Sequence, residues 1–182
     1  MQITLIRHLP TEWNVNTWLQ GRRDIDILPV TEEVQEQIEL NKRELKELAP
    51  FQFILASTLK RTQQTASLYG FETTIESLLD ELDFGKFEGR TKKELMDEMG
   101  EDWLENPRNL ILGENLTYFE SRIIHFLEKY KEASNILIFG HGAWIRAFLS
   151  FVTIGHINQM NKMIVQNNEC ITIQFNTRTL LA

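Results

Sequence analysis

The chain has 182 residues, 42% of them hydrophobic and 25% charged, one domain's worth of sequence with enough apolar material for a core. A formal net charge of −7 and a pI of about 5.2 argue against a broad surface for nucleic acid or anionic membrane. The single cysteine, Cys170, excludes an internal disulfide, and no apolar run approaches the roughly 18 residues of a membrane helix. The opening MQITLIRH is too short and too soon charged for a secretory signal, so a reducing, cytoplasmic compartment is expected.

Residues 2–6 read as a short strand that ends on Arg7 and His8. From Leu9 to Pro29 the chain is polar and irregular, broken by Pro10, Gly21 and Pro29. Thr31 suits a helix N-cap with Glu32 and Glu33 in the first turn, and the helix runs to about Leu48 before Pro50 ends it. Residues 51–56 form a second apolar run, bounded by Ser57 and Thr58. A helix over 60–69 follows, and Gly70 suits its end. Residues 73–75 give a short strand, and 79–89 a loop. Helices are expected over 92–99 and 117–130. A third buried-type strand, 135–139, leads into Gly140, His141 and Gly142, and a helix over 143–151 comes next. Residues 162–165 and 170–175 read as a hairpin around Asn167 and Asn168. With no repeat or linker, one domain spans 1–182, with a small cap-like insertion around 91–115.

Strands alternating with helices predict an α/β fold, a three-layer α/β/α sandwich around a mostly parallel sheet. Such sheets bind ligands beyond the carboxyl ends of their strands. There the sequence places Arg7 and His8 after the first strand, Ser57, Lys60 and Arg61 after the second, and His141 after the third. Arginine forks suit a dianionic phosphate. A histidine between arginines is held neutral, which leaves it nucleophilic. Alone, each of these residues reads as a hydrogen-bonded histidine or a surface charge; their convergence gives the pattern its meaning.

The stretch Arg7-His8-Leu9-Pro10-Thr11-Glu12-Trp13-Asn14 resembles the Arg-His-Gly-x-Thr-x-x-Asn signature of the histidine phosphatase superfamily, in its phosphoglycerate-mutase-like branch. Five further segments are similar to that family's motifs, in the family's order: Leu19-Gln20-Gly21 with Asp26 and 28–31, Ser57 to Ala66, Glu81 to Gly89, Gly113-Glu114-Asn115, and Phe139-Gly140-His141-Gly142. Leu9 and Pro10 depart from it: Leu9 stands where the family places glycine, and its bulk is expected to reshape the pocket. Val34 also replaces a common glycine, in what reads as a packing position.

The resemblance implies a phosphohistidine intermediate on His8, with Arg7, Arg61 and His141 binding the transferred group and Asn14 adding a neutral hydrogen bond. Glu81 is implied as the acid for the leaving alcohol, since it stands four residues before Gly85, and Asp83 and Glu88 are its rivals. Gln20 and Gly21 are implied to lie near the substrate. Arg22 and Arg23 read equally well as surface charges, and Trp13 and Trp18 as pocket or core. His125 and His156 read as structural, and Cys170 as a buried, inert thiol. The four histidines lack metal-ligand spacing, so neither a metal nor another cofactor is expected. The expected partner is a small phosphate ester, with no nucleic acid and no membrane, and the chain is expected to be a monomer or homodimer. The leading activity is a phosphomonoesterase. The alternatives are a cofactor-dependent phosphoglycerate mutase and a non-catalytic phospho-ligand-binding relative. Asp83 is expected to repel a mutase substrate's carboxylate.

Overall fold

The computed structural model describes residues 1–177. Five strands form one sheet: β1 (Gln2–Arg7), β2 (Phe53–Ala56), β3 (Thr74–Ile75), β4 (Asn135–Gly140) and β5 (Cys170–Gln174). Their spatial order is β3-β2-β4-β1-β5, all parallel except β5. The helices are α1 (Glu12–Val15), α2 (Glu32–Leu48), α3 (Lys60–Leu68), α4 (Lys92–Met99), α5 (Asp102–Glu105), α6 (Leu116–Lys129) and α7 (Gly142–Ile154). None is long and apolar enough to cross a membrane, among the described residues.

The near-continuous apolar runs of β1 and β4 follow from burial on both faces. Side chains alternate across a strand, so Ile3, Leu5, Ile136 and Ile138 enter one core with Phe119 and Phe126 of α6 and Trp144 and Phe148 of α7. Ile6, Leu137 and Phe139 enter the other core, with Ile38 and Leu45 of α2 and Ala66 of α3. Helices thus cover both faces of a mostly parallel sheet, the expected fold class. Thr31 caps α2 by accepting from the Val34 amide, as its sequence position implied.

Two expectations need correction. Residues 162–165 are not a strand of a hairpin: Ile157–Lys162 is a 3-10 turn, and β5 pairs antiparallel with β1 instead. The reason is that Ile171 and Ile173 find apolar neighbours in the larger core by extending the sheet. The irregular stretch after His8 also contains α1, closed by a reciprocal capping box between Thr11 and Asn14.

Leu9 is 1% exposed and packs in the α2–α3 core, with its amide donating to Thr65 Oγ1. Its bulk therefore fills the core, and it is absent from the lining of the pocket described below. Leu9→Ala is expected to destabilise the chain by about 2–5 kcal/mol, read as a lower urea midpoint with an unaltered slope. An unchanged midpoint would place Leu9 outside the packed interior.

Candidate active site

The sheet register builds the site. Arg7 pairs with Gly140 across β1 and β4, and the His8 amide donates to the Gly140 carbonyl at 3.0 Å. His8 and His141 therefore emerge side by side at the carboxyl edge, with ring centroids 5.4 Å apart. β2 lies on the other side of β4, and it brings Ser57 Oγ to within 2.7 Å of His141 Nε2. Gly142 then opens α7, where a β-carbon would sit 3.1 Å from Arg7 Nε.

His8 is 2% exposed, and its Nδ1 lies 2.7 Å from its neighbour's carbonyl, Leu9 O. A carbonyl only accepts, so Nδ1 carries the proton and Nε2 keeps the lone pair. Burial, then Arg61 and Arg7, hold the His8 ring well below the usual histidine range, against the bond to Leu9. Burial does the same to His141, reinforced by Arg61, His8 and Arg7.

The arginines are pinned by backbone carbonyls. Arg61, fully buried, donates from Nη1 to Arg23 O at 2.7 Å and from Nη2 to Gly21 O at 2.8 Å. Arg7 donates from Nη1 to Val165 O at 2.6 Å, and burial and the nearby Arg146 push its guanidinium down to about 10. Among the buried side-chain nitrogens left without a partner are Arg7 Nε, Arg61 Nε and His141 Nδ1. These three belong to side chains gathered around His8.

Glu81 is 7% exposed and sits at the start of α7. Its carboxylate accepts from the amides of Ala143 and Trp144, and from that of Leu82, each at 3.0 Å. The helix N-terminus thus holds the carboxylate in place. The rivals are engaged elsewhere. Glu88 accepts from the Arg22 amide and pairs with Arg23, and Asp83 accepts from the Gly85 amide and packs on Gly113. Asp83 is absent from the pocket lining, which removes the repulsion expected of it there.

A cavity of about 90 Å³ joins Arg7, His8, Asn14, Gln20, Gly21, Arg61 and Glu81. Asn14 accepts from Thr11 through Oδ1, which leaves its amide nitrogen as the end available to a ligand. Trp18 joins the lining, whereas Trp13 stacks edge-on against it. Arg22 and Arg23 form ion pairs with Asp80 and Glu88 outside the cavity. The 91–115 segment adds no lining residue; Leu95 and Trp103 sink into the larger core. His125 is exposed and His156 caps a turn. Burial pushes the Cys170 thiol up to about 12, which keeps it protonated.

A model of the histidine phosphatase superfamily, branch 1, matches residues 3–180. The chain belongs to the histidine phosphatase superfamily. A Hydrogenobacter thermophilus protein carrying the name phosphoserine phosphatase 2 is 31% identical over 88% of this chain and 83% of the relative. An Enterobacter protein carrying the name phosphoglycerate mutase GpmB is 30% identical over 84% of this chain and 74% of its own. The solved α-ribazole phosphatase of Shigella flexneri covers 97% of this chain and 91% of its own, at 28% identity and a TM-score of 0.74. Family and phosphatase-named relatives alike support the expected enzyme class, a phosphoric monoester hydrolase.

This histidine phosphatase superfamily member also uses residues the sequence reading gave no role. Ser57 anchors His141, Thr65 links the Leu9 amide to the Arg61 carbonyl, and Asn167 donates to His8 O at 2.9 Å. Arg146 lines the cavity as well. Its signal was available: it is the lone charge in the apolar run from Ala143 to Phe151.

The two neutral histidines carry a stability consequence. Well above pH 6.5 neither folded nor unfolded chain protonates these rings. Below it the unfolded chain takes up protons that the folded chain refuses, so stability falls with pH by about 1.4 kcal/mol per unit for each ring. Urea midpoints at pH 7.5, 6.5 and 5.5 are expected to drop across the last interval, with a shallower drop in His141→Asn. Identical slopes in both proteins would refute the buried-neutral assignment.

Proposed function

We propose that the chain hydrolyses small phosphate monoesters through a phosphohistidine on His8. The observation that carries this reading is the ring of partnerless buried nitrogens, Arg7 Nε, Arg61 Nε and His141 Nδ1, around a histidine whose tautomer leaves Nε2 nucleophilic. Buried donors without partners are rare and costly, and phosphoryl oxygens satisfy them. The cavity of about 90 Å³ has room for a phosphoryl group, at roughly 30 Å³ per water equivalent.

In the first step His8 Nε2 attacks phosphorus, the P–O bond to the alcohol breaks, and the protonated Glu81 gives the leaving oxygen its proton. In the second, the Glu81 carboxylate takes a proton from water as its oxygen attacks phosphorus. The P–N bond then breaks and returns the electron pair to Nε2. Arg7 and Arg61 stabilise the equatorial oxygens throughout, with Asn14 adding a neutral donor and Gln20 and Gly21 bounding the group. His141 donates from Nδ1 once Ser57 turns its hydroxyl toward Nε2 or the ring gains a proton. No step calls for a metal. Among the described residues no separate segment seals the cavity, which favours hydrolysis over mutase chemistry. The single, half-buried cysteine fits a reducing, cytoplasmic setting.

Brief mixing with a labelled phosphate ester, in the presence of chelator, is expected to leave acid-labile, alkali-stable phosphate on the wild type and none on His8→Ala. A label on serine or aspartate, or activity that chelation abolishes and a divalent ion restores, would overturn the mechanism.

Glu81→Gln is expected to lower kcat for alkyl phosphates by roughly 10²–10⁴-fold, the usual worth of a general acid, and to spare p-nitrophenyl phosphate much more. That pattern in Asp83→Asn or Glu88→Gln, with Glu81→Gln lacking it, would move the acid role.

A further inference from the structure

Six arginines other than those gathered around His8 fall among the described residues, and five of them, Arg22, Arg23, Arg90, Arg108 and Arg122, each form an ion pair with a carboxylate. The sixth, Arg43, is exposed on α2. Arg7, Arg61 and Arg146 have no such pair, and all three line the cavity. A dianionic phosphate matches the charges of Arg7 and Arg61, and Arg146 is left over. The one carboxylate lining the cavity, Glu81, is held by three backbone amides and becomes neutral whenever it holds the proton for the leaving group.

The three guanidiniums are also anchored differently. Arg7 and Arg61 are pinned through their Nη atoms, so each offers a single Nε to a phosphoryl oxygen. Arg146 is pinned the other way, with Nε donating to Met160 O at 3.1 Å. Its Nη1 and Nη2 are thereby presented together, half-buried, with Nη1 3.4 Å from the point over Gly142 that lies 3.1 Å from Arg7 Nε. Two free nitrogens in one plane are the fork that receives a carboxylate side-on. The cavity itself holds little more than a phosphoryl group, so the alcohol part of a substrate extends past the cavity's lining residues, Arg146 among them.

We propose that Arg146 is a specificity-determining residue that binds a carboxylate on the alcohol part of the substrate, and that the enzyme acts on phosphate monoesters of hydroxy acids. The proposal rests on the phosphatase reading above and names its substrate class.

The test compares 3-phosphoglycerate with glycerol 3-phosphate, which differ by a carboxylate in place of a hydroxymethyl group. Phosphate release is followed, and kcat/KM for each ester gives a selectivity ratio in which any effect common to both cancels. The wild type is expected to favour 3-phosphoglycerate by roughly tenfold to a hundredfold, the usual worth of a hydrogen bond to a charged group. Arg146→Gln is expected to bring the ratio close to one, mainly through KM, and Arg146→Lys to keep part of it. A wild-type ratio near one, or equal losses on both esters in Arg146→Gln, would overturn the assignment, the second outcome making Arg146 a further phosphoryl contact. Circular dichroism checks the fold; if Arg146→Gln fails it, Arg146→Lys and calorimetric affinities of wild type for the two esters decide. No phosphate release from either ester or from p-nitrophenyl phosphate would refute the phosphatase reading instead. The calorimetric comparison would then still judge Arg146, equal affinities overturning its role.

Discussion

Everything at the carboxyl edge depends on the parallel pairing of β1 with β4. The Arg7–Gly140 register and the bond from the His8 amide to Gly140 O fix two histidines from opposite ends of the chain at one height. A shift of one residue would turn each side chain to the other face of the sheet, and both cores resist it. Ile3 and Leu5 belong to one core and Ile6 to the other, so the apolar alternation that buries the strand also aims His8. Packing here sets the geometry of chemistry.

That geometry gathers positive charge in a buried place. Burial lowers both histidines, and it lowers Arg7, Arg61 and Arg146 too, so the site rests with neutral rings and guanidiniums that lack carboxylate partners. Such an arrangement is held by the fold around it. The carbonyls of Gly21, Arg23, Val165 and Met160 supply the polar contacts that ion partners supply elsewhere in the chain. A carbonyl carries no net charge, so it orients a guanidinium and leaves its field for an incoming anion.

The fold was legible where a pattern had one solution. Strands buried on both faces, the Thr31 cap and the helix before Gly70 each appear within about two residues of the reading. One exception, 162–165, is short and apolar, and such a run reads as strand or as turn until its neighbours are known. At the site, Arg7, His8, Arg61, Glu81 and His141 were visible because each follows a strand or stands in a motif. Asn14 carries a local duty that the motif hides, since its carbonyl closes the α1 capping box. Leu9 was misplaced because a sequence does not say toward which face a residue after a strand turns. Arg146 and Ser57 act through partners far away in the chain, which composition and spacing do not name.

The anchoring of Arg61 ties the cavity to the loop after α1. Its two Nη atoms hold Gly21 O and Arg23 O, while α3 also binds that loop through the Lys60 amide to Asp24 and Gln64 to the Ile27 amide. Gly21 is suited to the turn by its φ of +51°, and a β-carbon there would strike the Glu88 carboxylate that accepts from the Arg22 amide. Glu88 itself lies in the segment that carries Glu81, and Asp80 of the same segment pairs with Arg22. The loop is therefore fastened on one side to Arg61 and on the other to the strip bearing Glu81. Contacts outside the cavity thus join Arg61 to the segment of Glu81, in addition to those that the sheet supplies.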